Sequence, residues 1–135
     1  MKKAVILSAT FGGLLAVATA WHVITDVRGV SSSKRSTQAS MPFLQVGLRL
    51  CVQEYGALPE ATENSTLFKI LTGANPRKLR FCSATEAEHA AGQFLDGWER
   101  PYVFQKTAGN LIILSAGSDG IHYTKDDLTL ETLVP

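Results

Sequence analysis

The N-terminal apolar run constrains this chain most. Lys2-Lys3 is followed by an uncharged stretch, AVILSATFGGLLAVATAW, from Ala4 to Trp21, and it extends through His22-Val23-Ile24 before Asp26 ends it. A helix needs about 20 such residues to cross a hydrocarbon core, so residues 1–24 are expected to be a transmembrane anchor or a signal segment. Ala18-Thr19-Ala20 also has the small-residue pattern of a signal-peptidase site. Both readings send the remainder of the chain out of the cytoplasm. Lys2 and Lys3 favour an inside N-terminus, while Arg28, Lys34 and Arg35 weaken that preference.

Residues 25–40, rich in serine, are expected to be a polar linker or a continuation of a longer helix. Residues 41–135 are expected to form the folded domain. From Met41 the periodicity becomes helical. Leu44, Leu48, Cys51 and Tyr55 fall at i, i+4, i+7 and i+11 with Val52 beside them, which makes one apolar helix face. Gly56 ends that helix and Pro59 prevents an immediate restart. A second helix is expected over Ser65–Thr72, capped by Asn64 or Ser65 and stopped by Gly73. Asn75-Pro76 reads as a turn, Leu79–Cys82 as a short strand and Thr85–Gln93 as a helical turn or loop.

Tyr102–Gln105 and Leu111–Leu114 read as two strands of a hairpin joined by Thr107-Ala108-Gly109-Asn110. A lone hairpin is marginal in water, and the Met41–Tyr55 helix is its expected cover. The fold class is therefore α+β: an N-terminal helix, apolar and then amphipathic, packed on a small antiparallel sheet.

A net charge of +1 points away from a nucleic-acid partner. Two cysteines, Cys51 and Cys82, lack the spacing of a zinc site. Two buried thiols and one disulfide both accommodate them, because sequence does not give the separation a disulfide requires. No nucleophile elbow, phosphate loop or metal-protease helix is present, so the chain is not expected to be an enzyme or to bind a small-molecule substrate. Trp98 and Tyr102 are expected to pack under the hairpin.

The segment from Ser115 to Leu128 gathers Asp119, Asp126 and Asp127 around Gly117 and Gly120. Calcium takes six to eight oxygen ligands, and such a loop offers carboxylates with main-chain carbonyls. Asp-Gly and Asp-Asp are equally ordinary turn pairs. The chain after Asp127 shows little to pin it.

Five pieces occur in order: Tyr55-Gly56-x-Leu58-Pro59, Leu71-Thr72-Gly73-x-Asn75-Pro76, Asp96-x-Trp98-x-x-Pro101-Tyr102, Ser115-x-Gly117-x-Asp119-Gly120 and Thr124-x-Asp126-Asp127. Over Met41 to Leu128 the chain resembles the major pseudopilins of type II secretion, especially their shorter relatives. The resemblance implies a pilin-like structural subunit, anchored in the inner membrane with its C-terminal domain in the periplasm, and partnered by other pseudopilin subunits or secretion components. The alternative is cleavage after Ala20 and a soluble exported protein. The resemblance also implies a calcium-stabilised loop with Asp119, Asp126 and Asp127 as side-chain ligands and the Ala116 carbonyl as a further donor.

Two features depart from that family. Its N-terminus is cut after a glycine that precedes a phenylalanine, with a glutamate at the fifth mature position; here Leu14 follows Gly13, Ala18 stands at the fifth position, and the run holds no glutamate. Its Asp-Pro-Trp-Gly turn is Asp96-Gly97-Trp98-Glu99 here. The first departure favours an exported or membrane-anchored accessory that keeps the fold without polymerising.

Overall fold

The computed structural model describes the backbone of residues 9–132 and the side chains of residues 32–132. The elements run α1 (Ala9–Tyr55), α2 (Asn64–Thr72), α3 (Glu86–Ala91), β1 (Val103–Thr107), β2 (Asn110–Ser115) and β3 (Leu128–Thr132). The chain is α+β, with α1 packed on a three-stranded antiparallel sheet of order β1-β2-β3. The contacts divide it into two compact units, Met1–Ser32 and Ser33–Pro135. Residues 25–40 are helical throughout, and Ser33–Ser40 belongs to the second unit. Residues 1–8 of the expected anchor lie outside the described residues. No helix of the described residues is long and apolar enough to cross a membrane.

The predicted helix face is the one that the second unit buries. Leu44, Leu48, Cys51 and Val52 join Met41 in the core, and Leu48 has no exposed surface. They meet Phe104, Leu111 and Ile113 from the sheet and Leu67, Phe68 and Leu71 from α2. Tyr55, at the end of the stripe, stays at the rim and donates to Asn75 Oδ1 at 2.8 Å. Burial of this kind contributes about 1.5–3 kcal/mol per large aliphatic side chain.

Helix α2 begins one residue before Ser65, and neither expected cap caps it. Glu63 holds the N-cap position without a side-chain bond. The Asn64 side chain turns inward instead, donating to the carbonyls of Phe94 (2.9 Å) and Tyr102 (2.8 Å) and accepting from the Phe94 amide (2.7 Å). A buried amide needs those partners, so tertiary bonding wins over capping. Residues 79–82 do not form the expected strand. The Phe81 and Cys82 amides both donate to the Leu71 carbonyl, at 2.8 and 3.0 Å, which holds them against α2 with no neighbouring strand. Thr85 and Glu88 form a reciprocal capping box at the start of α3.

The hairpin pairs Phe104 with Ile113 and Thr107 with Asn110. Strand β3 completes the sheet, pairing Leu111 with Thr132 and Ser115 with Leu128. The chain beyond Asp127 is therefore pinned by a full strand ladder, and Gln45 of α1 adds a bond to the Glu131 carbonyl at 2.7 Å.

Candidate functional site

The loop between β2 and β3 and the turn between α3 and β1 form one bonded assembly. Asp96 joins them. The residue is 5% exposed. One carboxylate oxygen accepts from the Trp98 amide (2.9 Å) and the Arg100 amide (3.0 Å), and the other from the Ser115 hydroxyl (2.6 Å). A buried carboxylate is tolerated because every partner is a donor. The turn is tied to α1 as well, because the Gly97 amide donates to Thr37 Oγ1 at 2.8 Å and Thr37 is fully buried. Glycine is required at 97 by close approach: a Cβ there would run into the Ser33 carbonyl. Glu99, where the resembling family has glycine, carries a φ of 60°.

Tyr102 is buried, as expected, and its hydroxyl shares a 2.7 Å hydrogen bond with Ser40. Burial pushes its phenol up to about 12. Trp98 is only half-buried, and its Nε1 has no partner among the described residues.

Of the sequence-predicted ligands, Asp126 is the hub of the loop. Its Oδ2 accepts from the Ser118 amide (2.6 Å), the Ser118 hydroxyl (2.7 Å) and the Asp119 amide (3.0 Å), and its Oδ1 accepts from the Thr124 hydroxyl (2.7 Å). The Thr124 and Ser118 hydroxyls, followed by the Asp119 amide, hold this carboxyl well below the usual aspartate range. Asp127 Oδ2 accepts from the Tyr123 amide at 2.6 Å, and its Oδ1 lies 3.3 Å from the same Thr124 hydroxyl. The structure therefore converges Asp126 and Asp127 on one point. Asp119 shares none of these donors and accepts from the Ile121 amide two residues on at 2.8 Å. Ala116 is buried at the end of β2. A Cβ at Gly117 would run into the Asp126 carbonyl, so glycine is what permits the loop to close on itself.

Arg100 is the residue that sequence reasoning missed. Its guanidinium donates to the Gly117 carbonyl at 2.8 Å and to the Ser118 carbonyl at 3.4 Å, bringing a positive charge to the mouth of the loop. The available sequence signal was an arginine two residues before the motif tyrosine Tyr102. The donor set has the right chemistry for calcium, being carboxylates and carbonyls. In the present arrangement two of its three carboxylates converge. Among the described residues no group of three or more His, Cys, Asp or Glu side chains could hold a metal ion.

Compared with known proteins, the chain matches no family model, no curated protein and no solved structure.

Proposed function

We propose that the chain is a pilin-like structural subunit of a secretion machinery related to type II secretion. One observation carries this reading: all five motif segments are joined to another of the five by a hydrogen bond or close contact. Tyr55 bonds Asn75 (2.8 Å), Asp96 bonds Ser115 (2.6 Å), and Gly117 closes on Asp126. The stretches that carry the resemblance thus lie against one another in the fold.

In this reading residues 1–24 anchor the chain in the inner membrane and the folded unit lies in the periplasm, where it partners other pseudopilin subunits or secretion components. Calcium would be held by Asp126 and Asp127, with Asp119 and the Ala116 carbonyl as further donors and water for the remainder of the shell. Its contribution would be to neutralise clustered carboxylates. Arg100, Ser118 and Thr124 order the loop around that point. The missing glutamate in the apolar run favours a second reading, an exported or anchored accessory with the same fold that does not polymerise.

The test is cell fractionation combined with photo-crosslinking from exposed Phe43 in the full chain. A membrane-bound ladder of multiples is the expected result. A membrane-bound or periplasmic monomer selects the accessory reading. A cytoplasmic protein overturns both.

A further inference from the structure

Cys51 and Cys82 are the only cysteines in the sequence, and both are free thiols. They come from elements that the sequence does not connect, yet the fold brings them to one turn of α1. The Cys82 sulfur rests on Gly47: a Cβ added at Gly47 would overlap it, and the Phe81 carbonyl lies 3.1 Å from that same point. The sulfur makes a weak polar contact to the Phe43 carbonyl at 3.9 Å. Cys51 is the residue one helical turn beyond Gly47. Positions i and i+4 on a helix have Cβ atoms about 5–6 Å apart. Helical side chains lean toward the N-terminus, over the preceding turn. The Cys51 side chain is thereby directed back toward the turn on which the Cys82 sulfur sits, and glycine at 47 places no side chain of its own between them.

We propose that Cys51 and Cys82 are a redox-active pair that closes into an intramolecular disulfide, stapling the irregular 79–82 segment to α1. The reaction is thiol–disulfide exchange with a disulfide oxidant, small-molecule or protein. The Cys82 thiolate attacks the oxidant and releases one thiol. The Cys51 thiolate then attacks the Cys82 sulfur of the mixed disulfide and releases the second. Both cysteines are oxidised, the oxidant is reduced to two thiols, and the two thiol protons end on the released thiols. Cys82 is the entry point because it lines a groove of about 650 Å³ beside Phe43 and Phe81, whereas Cys51 is 2% exposed behind it. Burial, then the neighbouring Cys51, pushes the Cys82 thiol up to about 11, so exchange is favoured at alkaline pH. The inference takes its oxidising compartment from the export part of the proposed function, but its test on the purified chain succeeds or fails separately from that reading.

The test uses the full chain, incubated with excess oxidised glutathione at mildly alkaline pH and mapped by mass spectrometry without reduction. The expected product is a monomer lighter by two hydrogens, with the Cys51 and Cys82 peptides linked. Its melting temperature should rise by roughly 10 °C, because a loop of about thirty residues is closed in the unfolded chain, and a reductant should reverse the rise. Cys51→Ala should stop at a stable glutathione adduct on Cys82. Recovery of two free thiols overturns the proposal. So does wild-type protein that stops at the Cys82 adduct, forms disulfide-linked dimers, or gives a linked product melting below the reduced form.

Discussion

Asp96 and Asp126 are both aspartates that collect donors, and their different burial predicts different behaviour. Asp96 is enclosed and joins the α3–β1 turn to β2. Removing it leaves the Ser115 hydroxyl and two amides without their acceptor, so Asp96→Ala should cost about 2–4 kcal/mol in chemical denaturation. Asp126 is only half-buried and acts on the loop alone. Its carboxyl is held below the ordinary aspartate range in the folded state. A depressed folded value means that the stabilisation is fully present above the unfolded value near 4 and is lost as pH falls toward the folded one. Loop protection in hydrogen exchange should therefore decline below about pH 4 in the wild type. In Asp126→Asn that acid-dependent step should vanish. An unchanged step would assign it to another carboxylate.

The elements were legible where one physical signal acted alone. The 3.6-residue apolar period of Leu44, Leu48 and Cys51 identified the buried face of α1, and the Gly109 turn between two apolar runs identified the hairpin. The signal failed where tertiary partners decided. Leu79–Cys82 has strand composition, but the Leu71 carbonyl takes its amides. Strand β3 was missed although Leu128-Thr129-Leu130-Glu131 alternates with period two, because the acidic turn before it dominated the reading. Leu48→Asp should cost about 4 kcal/mol or more, because an unpaired charge would be buried at a position with no exposed surface. A near-wild-type melting curve would refute the packing of α1 on the sheet. Gly97→Ala should destabilise the turn that docks on α1, since the new methyl meets backbone at Ser33 and not a side chain able to move aside. Circular dichroism should show the helices retained while the melting temperature falls.

At the scale of the whole molecule, the C-terminal loop decides how far chemistry follows from sequence. The three aspartates were visible as a group, but their donors were not. Which oxygen meets which amide depends on how Gly117 and Thr124 fold the chain back, and Arg100 arrives from a different segment. The loop thus holds two sources of positive character, the guanidinium on the Gly117 and Ser118 carbonyls and the hydroxyl that Asp126 and Asp127 share. If calcium binds as proposed, it displaces the Thr124 hydroxyl from between those carboxylates and stabilises the folded state by mass action. The melting temperature should then climb with ln(1 + [Ca²⁺]/Kd). Magnesium should substitute poorly, because it demands tight octahedral geometry and keeps its waters. Asp127→Asn should remove the calcium response while β3 and the hairpin persist, since Asp127 serves the loop and not the sheet. Arg100→Gln should lower the melting temperature without calcium and narrow its deficit as calcium rises, because the ion would supply the charge the guanidinium had provided. A melting curve that ignores millimolar calcium in both proteins would show that Arg100 and the Asp126 donors hold the loop by themselves.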